Sequence, residues 1–384
     1  MLTAVIFLIV LAILIFVHEL GHFIVARMAG IRVDAFKIGF GPKILYWKRG
    51  ETEYGINLIP FGGFVKIHGE NPDEEAVSGA DSLRSFVNKA RWKQVAVLVA
   101  GVAFNFLFAW LLYTGCFIYG VTASNDSFDK YSDSISNQRI MITLVAAGSP
   151  AEKSKLAVGD IITEVKQQEL ADNSKNLVND SNGAKEKTLT VEEIQQFIRN
   201  SDGKPLIFSV VEKNVARDVT VVASKDVVSD ATSSYAVGIA MQEVGDLHLS
   251  FFYAVKEGFS YTILMIKDTA VGLFTFVANI FRGTANFSDV AGPVGIAGIV
   301  GNAAELGFTY LLMIVALISI NLGVINLIPF PALDGGRTLF VLIEGVIRRR
   351  IAMAFTNTVN TIGFFLLMLL MVVVTYRDIL NLFK

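Results

Sequence analysis

Four long apolar runs constrain this chain more than any other feature of its sequence. They cover residues 2–26, 95–120, 307–328 and 358–376. A helix needs about 20 mostly apolar residues to cross the hydrocarbon core of a bilayer. The composition agrees, because 53% of the residues are hydrophobic and only 18% are charged, whereas soluble domains carry about a quarter charged residues. We therefore predict a polytopic α-helical membrane protein with four transmembrane helices.

A fifth apolar stretch, residues 251–281, differs from these four. It contains Lys256, Glu257, Lys267 and Asp268. Charged side chains are costly at the bilayer centre but suit the membrane surface. We therefore expect an amphipathic helix that lies in the membrane interface.

Basic residues predict the orientation of the chain. Residues 27–93 hold eleven Lys and Arg side chains, and residues 348–350 are three consecutive arginines. Cytoplasmic loops of membrane proteins carry such an excess, and four spans, unlike five, place both stretches in the cytoplasm. The protein is thus expected to be a multi-pass protein of the cell membrane, in contact with the lipid bilayer. The net charge of −2 gives no reason to expect nucleic acid as a partner.

The apolar and polar stretches divide the chain into seven segments. These are transmembrane helix 1 at 1–26, a membrane-associated β region on the cytoplasmic side at 27–92, transmembrane helix 2 at 93–121, an extracytoplasmic domain at 122–245, an interfacial helix with a Gly-Pro-Val-Gly-Ile loop at 246–305, transmembrane helix 3 at 306–347, and transmembrane helix 4 at 348–384.

The extracytoplasmic domain has a mixed α+β pattern. Strands are predicted near residues 139–145, 158–165, 206–211 and 218–222, and a helix begins at Thr190, with Glu193 completing a capping box. The polar stretch 173–187 is predicted to be a flexible insertion. In the β region, residues 31–67 alternate apolar and polar side chains on either side of Lys48-Arg-Gly-Glu51, which predicts a β-hairpin.

The sequence His18-Glu19-Leu-Gly-His22 lies in the first apolar run. Residues four apart on a helix are about 40° apart around its axis and one turn apart along it. Two imidazoles so placed can bind one metal ion, and the glutamate between them can act as a base. Three polar side chains in an apolar span are costly unless they serve a function, so we predict a catalytic metal site.

Catalytic zinc usually takes three protein ligands. Asp334 is the candidate for the third, because it follows the third span in Asn326-Leu-Ile-Pro-Phe-Pro-Ala-Leu-Asp-Gly-Gly336. The two prolines interrupt the helix, and irregular backbone at membrane depth is tolerated where it lines a wet cavity. Four spans bring Asp334 and His22 to the cytoplasmic side. Asn105, in the second span, is expected to hydrogen-bond a neighbouring helix, and a role in shaping the site is the alternative.

With these motifs the chain resembles the site-2 protease family of intramembrane metalloproteases, in its bacterial branch with the regulator-of-sigma-E protease. The resemblance rests on the motifs His18–His22, Gly39-Phe-Gly-Pro42, Asn57-Leu-Ile-Pro-Phe-Gly-Gly-Phe-Val65, Gly292-Pro-Val-Gly-Ile296 and Asn326–Gly336. It implies Zn²⁺ held by His18, His22 and Asp334, Glu19 as the base, and Asn326 as a residue that holds substrate. It also implies a PDZ domain between the second and third spans, and this chain has room for one.

The resemblance implies proteolysis of single-span membrane proteins, such as anti-sigma factors or signal-peptide remnants, with an upstream site-1 protease acting first. A transmembrane helix must be unwound before its peptide bonds can be cut. An exposed hairpin edge could hold the unwound segment as an added strand, and Tyr54, Gly55, Ile56, Asn57 and Leu58 are predicted to form that edge. Two alternatives are a metal-binding membrane transporter and a catalytically silent PDZ scaffold.

Overall fold

The computed structural model describes residues 2–70, 77–124, 131, 134–167, 176–178, 189–212, 215–225, 234–284 and 291–382. The chain forms two compact units. The first comprises Met1–Cys116 together with Phe251–Lys384, and the second comprises Phe117–Ser250.

Long apolar helices dominate the first unit. The helices long and apolar enough to cross a membrane, among the residues described, are α1 (Leu2–Met28), α2 (Arg91–Tyr119), α5 (Phe251–Arg282), α7 (Phe308–Leu327) and α9 (Met353–Leu382). Helices suit this setting because they satisfy every backbone hydrogen bond within themselves. The prediction of several apolar helices that could span a membrane is confirmed.

Helix α5 is the one that the sequence assigned to the membrane interface. Its buried residues, which run from Ala254 to Thr262, lie in its first third. Farther along, large apolar side chains such as Phe274 and Phe281 are exposed. Its length and composition would permit a fifth crossing, so its interfacial position stays a prediction.

The segment expected as transmembrane helix 3 is divided into two helices. Helix α7 ends at Leu327, and α8 (Asp334–Ile347) begins after Pro329 and Pro331. Ala332 in the break has φ +73°, a conformation that is uncommon for a residue with a side chain. The break places Asp334 at the first position of a helix.

The Gly292–Ile296 segment, expected to be a loop, is instead the start of helix α6 (Pro293–Leu306). Proline is favoured at the first helical position because its φ is preset and its missing N–H would have no partner there. The Asp378 carboxylate of α9 accepts a hydrogen bond from the backbone N–H of Gly295 at 2.7 Å. A carboxylate at a helix N-terminus is favourable, so α9 fixes this end of α6.

The β region contains two strands, β1 (Val33–Arg49) and β2 (Thr52–Ile67), joined by a turn at the predicted position. Each strand bends and supplies two paired segments. The order of these segments across the sheet is 43–49, 52–57, 33–38 and 63–67. We call residues 43–49 the outer edge and residues 63–67 the inner edge.

This order corrects the predicted substrate edge at Tyr54–Leu58 for its first three residues. Tyr54, Gly55 and Ile56 pair with residues 36–38 on one side and with residues 45–47 on the other. Asn57 pairs with Lys43, and its side-chain amide donates a hydrogen bond to the Gly39 carbonyl at 2.9 Å. A segment paired on both sides has no free backbone groups with which to bind another strand.

Two glycines explain the bend in β1. Gly39 and Gly41 have φ values of +82° and +84°, which glycine adopts without steric cost. They precede Pro42, and together the three residues turn β1 back on itself. Glu53 stabilises the bent strand, because its carboxylate contacts Lys37 at 2.6 Å and Lys43 at 2.9 Å. Their hydrogen bonds lower the pKa of Glu53 to about 2.

Among the described residues, the second unit contains a seven-stranded sheet with the order β3-β9-β4-β5-β7-β8, and β6 pairs with β5. Its strands are β3 (Val121–Ser124), β4 (Ile135–Val145), β5 (Ile161–Gln167), β6 (Asn176–Val178), β7 (Pro205–Glu212), β8 (Val215–Val222) and β9 (Ile239–Leu247). Its helices are α3 (Pro150–Lys153) and α4 (Val191–Arg199).

The core of this unit is apolar and buried, with Ile142, Ile194 and Phe208 at its centre. The capping box of Thr190 and Glu193 is present, and the predicted strands are present within a few residues. Of the predicted insertion 173–187, residues 176–178 form β6, and the rest lies outside the described residues.

Candidate metal centre

Helix α1 carries the two predicted histidines on its buried face. His18 and His22 are 9% and 8% exposed, and their ring centroids are 4.8 Å apart. Their Nε2 atoms are separated by 3.2 Å. The spacing of four residues therefore brings both Nε2 atoms to one point, as the helical pattern predicts.

Asp334 meets the histidines from the start of α8. Its Oδ2 atom lies 3.0 Å from Nε2 of His18 and 3.2 Å from Nε2 of His22. The three ligand atoms all lie within 4.8 Å of one another. Two imidazole nitrogens and one carboxylate oxygen are ligands that zinc takes in catalytic sites, so the residues present fit a zinc ion.

The outer nitrogen of His22 has a defined partner. Nδ1 lies 2.8 Å from the carbonyl oxygen of Val97 on α2. A carbonyl can only accept, so Nδ1 carries a proton. In the neutral ring this leaves the lone pair on Nε2, which faces the site. Such outer contacts fix the tautomer and orientation of metal-binding histidines.

Glycines on both helices allow this close approach. A Cβ at Gly101 on α2 would lie 2.7 Å from Cε1 of His18 and 2.8 Å from Cε1 of His22. A Cβ at Gly21 on α1 would lie 2.8 Å from the carbonyl carbon of Ala100. Neither position has room for a side chain, so both glycines are required by the packing of α1 against α2.

Glu19 lies beside the ligands and faces the inner edge of the sheet. The backbone of Val65 hydrogen-bonds to its carboxylate, and a Cβ at Gly63 would be 3.4 Å from its Cγ. Glu19 is half-buried. A carboxylate next to a metal position can accept a proton from water there.

The other predicted substrate residues are on α7 and in the β region. Asn326 is half-buried and is the next-to-last residue of α7, eight positions before Asp334. Tyr54 stacks on Trp47 at 5.7 Å and meets Phe23 edge-on at 5.9 Å, so it packs within the β region. Gly55 and Asn57 are buried, whereas Ile56 and Leu58 are exposed.

A cavity of about 330 Å³ adjoins the ligand cluster. It is lined by Ala332, Asp334, Arg337, Asn360, Thr361 and Phe364. Arg337 forms an ion pair with Glu70. The cavity leaves open space beside Asp334.

Sequence reasoning missed Val97, Gly101, Gly63 and Val65. The spacing of Gly101 and Asn105 does place both residues on one face of α2. It does not reveal that this face contacts His18 and His22, because the partner of a helix depends on tertiary packing.

Comparison with known proteins places the chain in a family. The sequence profile described as Peptidase family M50 matches residues 6–370. A Clostridium perfringens protein named "Putative zinc metalloprotease" is 34% identical over 96% of this chain and 95% of its own length. "Zinc metalloprotease RasP" of Geobacillus kaustophilus is 30% identical over 98% of this chain and 97% of its own length. The family expected from the motifs is thus confirmed, and the chain belongs to peptidase family M50.

Proposed function

We propose that this protein is an intramembrane zinc metalloprotease that hydrolyses peptide bonds of membrane-spanning proteins. His18, His22 and Asp334 hold the zinc ion, and Glu19 is the catalytic base. The observation that carries the proposal is the convergence of these three ligand atoms beside Glu19, within an apolar helical unit. The zinc metalloprotease names of the relatives support it.

Zinc in such a site supplies a Lewis acid that polarises a carbonyl group and makes bound water more acidic. The carboxylate of Glu19 accepts a proton from the attacking water and delivers it to the nitrogen of the breaking peptide bond. The products are a new carboxyl terminus and a new amino terminus. The hydrogen bond from Val65 holds the Glu19 carboxylate in place between the sheet and the ligands.

The inner edge is the surface that we propose for the substrate backbone. It pairs with residues 33–38 on one side, and it passes Glu19 at Gly63 and Val65. An unwound substrate segment that adds to this edge as a strand would lie next to the base. Asn326 is proposed to hold the substrate from α7, as the family resemblance implied.

The proposed topology has four crossings. Helices α1, α2, α7 and α9 span the membrane, and α5 lies in the interface because of its internal charges. This places the β region and residues 348–350 in the cytoplasm, with the metal centre toward that side. The second unit is then an extracytoplasmic domain of PDZ type.

Single-span membrane proteins are the proposed substrates, including anti-sigma factors or signal-peptide remnants. A domain on the outer face would collide with a large outer domain of an uncut substrate, so an upstream site-1 protease would act first. A metal transporter and a silent scaffold are less favoured, because neither needs a carboxylate beside the ligands.

The metal content of the purified protein tests this proposal. We expect about one zinc ion per chain, since three ligands converge at one site. Asp334→Ala should lower the occupancy strongly, by at least about tenfold in affinity, because loss of a direct ligand costs more than loss of an outer partner. Asp81→Ala removes a carboxylate that pairs with Arg32 instead, and it should leave the zinc content unchanged. Full occupancy in Asp334→Ala would exclude Asp334 as a ligand.

A further inference from the structure

Asn105 on α2 is fully buried and points its side chain at the metal centre. Its Nδ2 atom lies 3.1 Å from Nδ1 of His18, and the residue is 0% exposed. Its other amide atom, Oδ1, has no hydrogen-bond partner among the described residues. A buried polar atom left without a partner typically costs about 1–3 kcal/mol, so this arrangement calls for a functional explanation.

The tautomer that His18 needs for metal binding supplies a functional explanation for Asn105. Its Nε2 atom faces Asp334 and His22. To bind a metal ion, Nε2 must offer a lone pair, so the single proton of the neutral ring must reside on Nδ1. A protonated Nδ1 needs an acceptor, and the amide oxygen of Asn105 becomes that acceptor when the amide turns by half a rotation.

The two orientations of the Asn105 amide differ in which end, nitrogen or oxygen, faces His18. In the orientation that the structure shows, the amide nitrogen contacts His18 and the amide oxygen has no hydrogen-bond partner among the described residues. A half rotation brings the oxygen to His18 instead. The location of the proton on His18 therefore decides the orientation, because the two ends of an amide are distinguished by their hydrogen bonds. The metal-free ring accepts from the amide nitrogen, and the metal-binding ring donates to the amide oxygen.

Helix packing alone does not account for this side chain. The contact between α2 and α7 at this position is made by Ser319, whose hydroxyl donates to the backbone carbonyl of Asn105 at 2.9 Å. The side-chain amide takes no part in that hydrogen bond. His22 obtains its outer acceptor from the Val97 carbonyl, and Asn105 occupies the corresponding place for His18.

We infer that Asn105 is a positioning residue whose carboxamide oxygen holds His18 in the tautomer and orientation that bind the metal. This inference rests on the proposed function, because it requires His18 to be a zinc ligand. It predicts that the acceptor at position 105 determines zinc affinity.

Zinc affinity of the full-length protein in detergent, measured by competition with a chromophoric chelator, tests the inference. Asn105→Leu keeps a similar shape without an acceptor and should bind zinc about 10–100-fold more weakly. Asn105→Asp keeps an oxygen acceptor and should bind within about threefold of the parent or more tightly, since carboxylates commonly fill this role. Ser319→Ala removes the helix contact at the same position and should bind like the parent.

Each other result overturns a specific claim. Parental affinity in Asn105→Leu, or a loss in Asn105→Asp as large as in Asn105→Leu, would contradict a positioning role. An equal loss in Ser319→Ala would assign Asn105 to packing. If Asn105→Leu does not fold, as judged by thermal unfolding of the metal-free protein, Asn105→Asp decides alone, and a tenfold loss there refutes the inference. A parent protein that holds no zinc would instead refute the proposed function.

Discussion

Gly101 is the position on α2 where the absence of a side chain makes room for both histidines. Its missing side chain leaves room for both imidazole rings, which a Cβ would meet at 2.7–2.8 Å. Contacts this short cannot be relieved within a packed interior without displacing one of the groups. The position of the ligands thus depends on a residue that binds nothing itself.

Gly101→Ala should therefore weaken zinc binding. The added methyl group would push the rings away from Asp334, and overpacking of this kind also costs about 1–3 kcal/mol of stability. Gly115→Ala on the same helix is the matched control, because a Cβ there would meet nothing within 4 Å. We expect at least a tenfold loss of zinc affinity for Gly101→Ala, by analogy with outer-partner losses of about 10–100-fold. Equal affinities in the two variants would show that the contact at Gly101 is relieved elsewhere.

The proposed ligand residues were accessible from the sequence because their signals are local. His18 and His22 follow from the helical period, and Asp334 follows from a proline-interrupted span. Asn105 was expected to hydrogen-bond a neighbouring helix, with a role in shaping the site as the alternative. Its position against His18 depends on how α1 and α2 pack, which no local pattern encodes.

At the scale of elements, the sheet has two edges with different surroundings. The inner edge passes Glu19, whereas the outer edge lies on the far side of the sheet, with two strand segments between them. The sequence predicted the hairpin and its turn correctly. The predicted exposed edge was wrong for Tyr54–Ile56, because both strands bend and the resulting four-segment sheet encloses these three residues.

Disulfide formation with a trapped substrate distinguishes the two edges. The protein would carry Glu19→Gln to prevent cleavage and Cys116→Ala to remove its single cysteine. Side chains directly opposite on paired strands have Cβ atoms about 4.5–5.5 Å apart, close to the span of a disulfide. A cysteine in place of Lys66, on the inner edge, should therefore cross-link to one near the scissile bond.

Lys48 on the outer edge gives the matched control, because it is also an exposed lysine on a β-strand. We expect a cross-link yield at Lys66→Cys that is at least several times that at Lys48→Cys. A higher yield at Lys48→Cys would move the substrate to the outer edge and contradict the inner-edge proposal.

At the scale of the whole molecule, the number of membrane crossings determines which parts of the protein face the cytoplasm and which face the outside. The apolar runs predicted α1, α2, α7 and α9 because hydropathy is a strong local signal. Hydropathy does not decide whether α5 crosses the membrane, because charged residues interrupt a helix that is otherwise long enough to cross. The lengths of the two helices beside Asp334, and the break between them, could not be read from hydropathy and are seen in the structure.

Cysteine labelling of intact cells tests the topology. In a Cys116→Ala background, a cysteine replacing Lys153 in the second unit should react with a membrane-impermeant reagent, and one replacing Arg349 should react only after the cells are opened. Both positions are exposed in their own units, so burial does not limit the reaction. Labelling of Arg349→Cys in intact cells would mean that α5 crosses the membrane and that the four-span topology is wrong.

The central claim is that Glu19 acts as the base at a zinc ion held by His18, His22 and Asp334. It is tested most directly by Glu19→Gln, with zinc content and cleavage of a membrane-spanning substrate measured on the same preparation. The amide keeps the shape and can still accept the hydrogen bond from Val65, but it cannot take a proton. Glu51→Gln, at an exposed turn, is the control. We predict unchanged zinc and a loss of cleavage of about 10²–10⁴-fold for Glu19→Gln only, whereas near-parental cleavage with zinc bound would contradict the account.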